Sequence, residues 1–208
     1  MIPNPYKGKF ICVEGLDGSG KATQGKRLFE FLKGKGLPVI LTSEPTSGPI
    51  GSRIRRILKK EEPAPGAYDF QKMFSEDRKR HCKKIIIPAL KSGTNVVTLR
   101  YEVSTQCYGQ AFGVPEKHIN IWNASVIKPD LTIIIDASAQ TCLERLGKRN
   151  QSLEYFEKLD SLEKIARHYR RYGGENHGTR MIDGELSEEE VFEKVVLLAN
   201  ELFRWSLL

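Results

Sequence analysis

A glycine-rich segment that ends in lysine is the part of the sequence best suited to chemistry. Residues 15–21 read Gly-Leu-Asp-Gly-Ser-Gly-Lys, which fits the phosphate-binding pattern G-x-x-x-x-G-K. Glycines let the backbone wrap around phosphate groups, and the N–H groups at a helix N-terminus attract anions. Lys21 adds a cation that can reach a phosphoryl group during transfer. We expect phosphate contacts from Gly15, Gly18, Ser19, Gly20, Lys21, Ala22 and Thr23.

The segments on either side of this loop have the order that phosphate binding requires. Residues 10–13 are apolar and predict a buried parallel strand, and Leu28, Phe31 and Leu32 fall on one face of a following helix. A glycine-rich turn with a surface lysine is the alternative. The strand before the loop and the helix after it favour phosphate binding.

The residue after the loop lysine departs from the pattern. The motif expects Ser or Thr there to hold magnesium, but the sequence has Ala22, followed by Thr23. Magnesium needs few protein ligands, because it keeps several waters and binds phosphates directly. We therefore predict no metal-ligating side chains, and a Mg²⁺ ion held mainly through the phosphates of ATP.

Composition indicates one α/β domain spanning residues 1–208. The hydrophobic content of 39% is ordinary for a soluble protein, and the longest apolar runs are too short to cross a bilayer. The N-terminus lacks a basic region followed by an apolar stretch, so we expect a cytoplasmic protein with no membrane partner. Widely spaced cysteines predict reduced, mostly buried thiols, and the histidines lack metal-ligand spacing.

The net charge of +7 comes from 33 Lys and Arg against 26 Asp and Glu. This excess suits nucleic acid, but it also suits polyanionic small ligands such as nucleotides. The basic residues are dispersed, and no aromatic-basic recognition module is evident. A nucleotide site therefore explains the charge, we expect no nucleic-acid partner, and a nucleic-acid-binding module is a minor alternative.

Strand-like and helix-like segments alternate along the chain. Strands are predicted at residues 10–13, 39–42, 95–99, 131–136 and 180–183. A long helix is predicted over 67–91 with a kink at Pro88, and a last helix over 187–205 begins with a capping box. This alternation predicts a parallel sheet flanked by helices on both faces, with ligands at the carboxyl ends of the strands.

Several separated motifs in a fixed order make the chain resemble the thymidylate kinase family. The resemblance covers roughly residues 9–205 and rests on residues 14–21 with Thr23-Gln24, Glu44-Pro45 with Ile50-Gly51, residues 74–78, Arg100-Tyr101 with residues 104–106 and Tyr108, residues 128–131 with Asp136, and residues 144–149 with Phe156-Glu157. It implies a P-loop nucleotide kinase fold, transfer of the γ-phosphoryl group of ATP to dTMP, and a homodimer.

The expected base-binding residues come from two segments. Phe74 and Arg78 are four residues apart and share a helix face, so a ring can stack on a pyrimidine while the guanidinium donates to a carbonyl. An aromatic in the core beside a solvated arginine is the alternative. By resemblance, Thr105, Gln106 and Tyr108 belong to the segment that recognises thymine. The alternative is a polar helix start with Ser104 or Thr105 as the N-cap, and both roles could hold.

The resemblance also implies roles for charged residues. Arg100 would bind the acceptor phosphate, and its fork geometry suits that task. Asp17 would accept a hydrogen bond from the acceptor sugar. Arg145 and Arg149 are one helical turn apart and would belong to a lid around residues 145–155 that closes over the nucleotides. Two solvated arginines on a basic helix are the alternative.

Two departures from the family pattern affect metal handling, and a third, smaller one lies just before Glu44-Pro45. Leu99 precedes Arg100 where the family usually has aspartate, and Ala22 follows the loop lysine; Ser43 replaces an arginine often found before Glu-Pro. If nothing compensates, we expect slow chemistry; alternatively, Leu99 packs among apolar neighbours. The function alternatives are a kinase of another nucleotide or deoxynucleoside, and a degenerate relative that binds nucleotides without turnover.

Overall fold

The computed structural model describes residues 1–148, 152–175 and 178–204, and these form one parallel sheet with helices on both faces. Neighbouring strands are all parallel, in the order β2-β3-β1-β4-β5. The α/β fold predicted from the sequence is confirmed. The strands of the described residues are β1 (Phe10–Gly15), β2 (Val39–Ser43), β3 (Asn95–Leu99), β4 (Leu131–Asp136) and β5 (Thr179–Asp183).

Helices connect the strands and cover the sheet. They are α1 (Lys21–Gly34), α2 (Pro49–Leu58), α3 (Ala67–His81), α4 (Ile87–Lys91), α5 (Glu102–Ala111), α6 (Glu116–Asn123), α7 (Ala139–Gly147), α8 (Leu159–Glu175) and α9 (Glu188–Phe203). A π-helical turn, Cys82–Ile86, joins α3 to α4. Of the described helices, none is long and apolar enough to cross a membrane.

Side chains of the central strand alternate between two apolar cores. Ile11 and Val13 pack with residues of α1 and α9, whereas Phe10 and Cys12 pack on the opposite face with the π-helix and α4. This alternation is the period of two expected for a strand buried on both faces. Glu14 has the parity of Phe10 and Cys12, so its carboxylate is directed toward the helices that cover that second face.

The helix predicted over 67–91 has an extra-wide turn rather than a simple kink. Pro88 has no N–H, and in a regular helix its ring would clash with the carbonyl four residues earlier. The π-helix Cys82–Ile86 lies just before Pro88, and its wider turn accommodates the ring. Helix α8 was not predicted, although its buried residues Leu162, Ile165, Ala166 and Tyr169 have helical spacing.

The last helix begins as the sequence indicates. Ser187 is the N-cap of α9, and Glu190 completes the capping box by accepting from the Ser187 backbone N–H at 2.9 Å. The predicted end at Trp205 lies outside the described residues.

Candidate active site

The loop between β1 and α1 has the backbone that its glycines allow. Gly15, Gly18 and Gly20 have φ values of 140°, 88° and 97°, a region that side chains disfavour. A Cβ on Gly18 would also lie 2.4 Å from the Cys142 carbonyl oxygen. The loop ends at the N-terminus of α1, where the first backbone N–H groups have no intrahelical acceptor. These features are the ones that an anion-binding loop requires.

Lys21, Asp17 and Arg100 form one charge cluster beside this loop. Lys21 Nζ lies 3.0 Å from Asp17 Oδ1 and 3.1 Å from the Leu16 carbonyl oxygen. Arg100 Nη2 lies 2.5 Å from the same Asp17 oxygen. The Tyr108 hydroxyl donates to Asp17 Oδ2 at 3.1 Å. The cluster thus brings together one anion and two cations that sequence analysis had assigned to phosphate and sugar binding.

The pKa values in this cluster follow from burial and from the neighbouring charges. Burial raises the pKa of Asp17, but the charges of Arg100 and Lys21 outweigh that effect and hold the pKa well below its usual range. Burial and the nearby Arg100 lower the pKa of Lys21, while Asp17 partly restores it. Asp17 is therefore ionised across the physiological pH range.

Arg100 is held in place by its backbone and by a buried carboxylate behind it. Its φ of 68° is uncommon for a residue with a side chain and turns the chain sharply after β3. Glu14 is fully buried and accepts from the Tyr101 N–H at 2.7 Å, the Ser104 hydroxyl at 2.7 Å and the Tyr169 hydroxyl at 2.9 Å. Glu14 thereby ties β1 to the start of α5 and to α8.

A cavity of about 350 Å³ opens on the Asp17 side of the loop, and we call it the aromatic cavity. Its size lies within the usual range for ligand pockets, about 300–1,000 Å³. Its charged lining residues include Asp17, Arg55, Lys59, Arg100, Glu154 and Glu157, and its other lining residues include Gln71, Phe74, Thr105, Tyr108 and Phe156, together with the buried Arg78. A cavity with aromatic side chains and several arginines in its lining suits a molecule that has a flat ring and an anionic group.

Arg78 lines this cavity, but much of its guanidinium is already hydrogen-bonded. Nε donates to Glu44 Oε2 at 2.9 Å, Nη1 to Asn123 Oδ1 at 2.9 Å, and Nη2 to the Tyr101 carbonyl oxygen at 2.8 Å. The residue is 1% exposed. Nη1 and Nη2 each retain a second proton for a ligand. The predicted face shared by Phe74 and Arg78 is present, and Arg78 also fastens α3 to three other segments.

Gln106 is separated from the other residues predicted to bind the base. Ser104, Thr105 and Tyr108 line the aromatic cavity, whereas Gln106 lines a different cavity beside α6 and α8. Its Nε2 donates to Asn120 Oδ1 at 2.5 Å, and its Oε1 accepts from Gln110 Nε2 at 3.1 Å. Consecutive residues of a helix point in different directions, so Thr105 and Gln106 do not face one site.

A second cavity, of about 290 Å³, opens on the Gly18 side of the loop, and we call it the loop cavity. Gly18, Ser19, Gly20 and Thr23 line it, as do Gln24, Arg145 and the segment from Gly184 to Val191. Arg145 Nη2 donates to the Gly184 carbonyl oxygen at 3.0 Å. Arg149 and two further residues of the predicted lid lie outside the described residues.

Several lining residues were not predicted as site residues. Gln71 is three residues before Phe74, so the same-face rule used for Arg78 would have found it. Arg55 donates from both terminal nitrogens to the carbonyl oxygens of Pro45 and Thr46. Phe156 belongs to the family resemblance, but its ring position depends on stacking at 5.8 Å with Phe70, a distant residue in the sequence.

The donor groups near the loop do not make a protein-ligated metal site. Among the described residues, no group of three His, Cys, Asp or Glu could hold a metal ion. Ala22 is exposed and cannot coordinate, and Leu99 packs with the core of α1 and α9. A Cβ on Gly25 would lie 2.2 Å from Leu99 Cδ2, so Leu99 fills the space that this glycine leaves.

Comparisons with known proteins agree on one family. A family model described as Thymidylate kinase matches residues 13–195. A probable thymidylate kinase from Pyrococcus horikoshii is 36% identical over 93% of this chain and 97% of its own length. A thymidylate kinase from Caldicellulosiruptor saccharolyticus is 36% identical over 95% of this chain and 98% of its own length.

Proposed function

The chain belongs to the thymidylate kinase family, and we propose that it transfers the γ-phosphoryl group of ATP to dTMP, giving ADP and dTDP. The observation that carries this proposal is the position of the phosphate-binding loop between two cavities. Asp17 lines the aromatic cavity and the adjacent Gly18 lines the loop cavity. Two nucleotides bound on opposite sides of one loop would bring their phosphates together at Lys21.

The aromatic cavity is the proposed acceptor site. Phe74, with Tyr108 and Phe156 nearby, would enclose the thymine ring, and aromatic side chains favour such stacking. Arg100 would bind the acceptor phosphate, since it is a cationic residue that lines this cavity next to the phosphate-binding loop. Asp17 would accept from the sugar hydroxyl while it orients Lys21 and Arg100.

The loop cavity is the proposed ATP site. Loop N–H groups and Lys21 would hold the donor phosphates, and the adenosine would lie between Arg145 and the segment that begins at Gly184. Arg145, with Arg149, would close over the nucleotides as part of the proposed lid at residues 145–155.

The transfer needs positioning and charge neutralisation. The bond from the γ-phosphorus to the bridging oxygen of ADP breaks, and a bond from the γ-phosphorus to an oxygen of the dTMP phosphate forms. That oxygen is already anionic, so no side chain must remove a proton from it. Lys21 and Arg100 offset the negative charge where the two phosphates meet.

Magnesium would arrive with ATP, bound by phosphates and water, because the donor groups around Ala22 and Leu99 do not fit a protein-ligated ion. The proposed homodimer and cytoplasmic location rest on the family resemblance and on the sequence. Exposed apolar side chains on α3 and α6, such as Tyr68 at 42% and Ile121 at 68%, are candidates for a subunit contact, and light scattering would measure the assembly.

The direct test is an ADP-release assay with ATP, magnesium and a panel of acceptors: dTMP, dUMP, dCMP, AMP and thymidine. We expect dTMP to give the highest kcat/KM. Turnover of dUMP should be about 10-fold lower, since a missing methyl group in an apolar pocket costs about 1–3 kcal/mol. Equal or faster turnover of AMP or dCMP would contradict the acceptor assignment. Binding of both nucleotides without ADP release would identify a non-catalytic relative instead.

A further inference from the structure

We propose that the side-chain amide of Gln71 binds the polar edge of the acceptor base, the imide N–H of a pyrimidine and one of its flanking carbonyl oxygens. This inference rests on the proposed function, because it takes the aromatic cavity as the acceptor site. It identifies a specificity residue on α3 in addition to the aromatic ring and the arginine that sequence analysis predicted.

Gln71 is a buried amide whose hydrogen bonds are unmade. The residue is 3% exposed and lines the aromatic cavity. Within the described ranges, no hydrogen-bond partner contacts its side chain, although Gln106 and Gln24 both use their amides within the protein. Because Gln71 lines the cavity and its amide has no hydrogen-bond partner among the described residues, both its oxygen and its N–H groups are available to a ligand there.

The position of Gln71 places it beside the part of α5 that lines the cavity. Its Cγ lies 3.6 Å from the point where a Cβ on Gly109 would stand. Gly109 is one helical turn after Thr105, which is 1% exposed and lines the same cavity. Thr105 Oγ1 also lacks a partner among the residues that the structure describes. Two polar groups without a partner in the described part of the protein, one on α3 and one on α5, therefore line the same cavity.

Arg78 cannot supply this recognition by itself. Its Nε, Nη1 and Nη2 donate to Glu44, Asn123 and the Tyr101 carbonyl, and this network holds the guanidinium in place. The arginine also has no acceptor, so it cannot accept from the N–H of a thymine or uracil ring. The Gln71 amide offers an acceptor oxygen and donor hydrogens side by side, which match an N–H next to a carbonyl.

The test compares binding of dTMP with binding of 2-deoxyribose 5-phosphate, which has the sugar and phosphate but no base. Both ligands are titrated calorimetrically into the wild-type protein and the variant Gln71→Leu, which keeps an apolar stem against Gly109. The matched control is Gln140→Leu, which removes an exposed amide from α7 that lines none of the cavities described above. Gln71→Met is a second variant of similar length, and melting temperatures verify that each protein is folded.

We expect Gln71→Leu and Gln71→Met to weaken dTMP binding about 10-fold and to change binding of 2-deoxyribose 5-phosphate less than two-fold. The KM for dTMP should rise with little change in kcat, and Gln140→Leu should match the wild type. Unchanged dTMP affinity in the Gln71 variants would overturn this inference alone. Equal weakening of both ligands would also overturn it, because Gln71 would then act on the shape of the site. A wild-type protein that binds neither ligand would contradict the proposed function as well.

Discussion

The two cavities beside the phosphate-binding loop are made from different parts of the chain. The loop cavity is lined by residues of the glycine-rich loop, the start of α1 and the segment after β5, with Gly18, Gly20 and Gly184 among them. The aromatic cavity is lined by side chains from α2, α3, α5 and the segment around Phe156. Backbone N–H groups bind any phosphate, whereas side chains distinguish one base from another. Acceptor selection should therefore tolerate substitution less well than donor binding does.

The contacts that hold the residues of the two cavities in position also differ. Close backbone packing shapes the loop side, since a Cβ on Gly15 would lie 2.6 Å from the Ile135 carbonyl oxygen. Buried charges support the acceptor side: Glu14 anchors the start of α5, and Glu44 pairs with Arg78 and lies 3.0 Å from the His81 ring. A site supported by buried ionisable groups should respond to pH, and one supported by backbone packing should not.

Lys21→Met is the substitution with the largest expected effect, because Lys21 would lie where the phosphates of the two nucleotides meet. The change keeps most of the side-chain length and removes the charge near the reacting phosphates. We expect kcat to fall about 10²–10³-fold, the usual cost of removing one preorganised donor. ADP release gives kcat, and circular dichroism verifies the fold.

Lys26→Met is the matched control, because Lys26 is an exposed lysine of the same helix. It should retain wild-type turnover. If Lys21→Met also keeps kcat/KM for ATP within a few-fold of the parent, Lys21 does not act on the transferred phosphoryl group. The proposal that Lys21 lies where the two nucleotides meet would then be wrong.

Leu99→Asp tests whether the strand end before Arg100 is a lost metal site or an adapted core position. Leu99 fills the space over Gly25 and packs with the α1 core. An aspartate there would place an unpaired charge among apolar groups. We expect the free energy of unfolding to fall by about 3 kcal/mol. Adding Ala22→Thr should restore neither stability nor turnover.

Thermal melting and magnesium titrations of turnover measure these two effects separately. Leu99→Asn introduces a side chain with nearly the shape of aspartate but no charge. It therefore shows how much of the lost unfolding free energy comes from the missing leucine packing. Ala22→Thr alone changes an exposed position and should melt like the parent. If the double variant Ala22→Thr with Leu99→Asp needs less magnesium for its half-maximal rate, then Ala22 and Leu99 have weakened a metal site.

Local patterns explain what the sequence could predict. Residues 10–34 contain an apolar strand, glycines that need positive φ and an amphipathic helix, so the phosphate loop follows from neighbouring residues. The direction of Gln106 depends on Asn120 in α6, a helix that was not predicted. Arg78 donates hydrogen bonds to Glu44, Asn123 and Tyr101, and these bonds depend on packing between segments that are distant in the sequence. Such contacts have no signature in local spacing.

Glu102 provides the test of the buried charges behind the acceptor site. It is 3% exposed at the start of α5, and Oε2 has no hydrogen-bond partner among the described residues. Burial raises its pKa to about 7; Arg78 opposes this rise, and Glu14 adds to it. The folded protein therefore holds the Glu102 proton more tightly than the unfolded chain does. The stability from this group is fully present below pH 4.5 and is lost as the pH rises toward 7.

Glu102→Gln should remove this dependence, because glutamine stays neutral at every pH. Between pH 5 and pH 8 the wild type should lose about 2 kcal/mol of unfolding free energy that the variant keeps. The variant should thus gain stability relative to the wild type as the pH rises, measured by urea unfolding at both pH values. Glu163→Gln, at an exposed position on α8, is the control and should follow the wild type. If Glu102→Gln also follows the wild type, the carboxyl is ionised in the folded protein at both pH values. The acceptor side would then be no more sensitive to pH than the loop side.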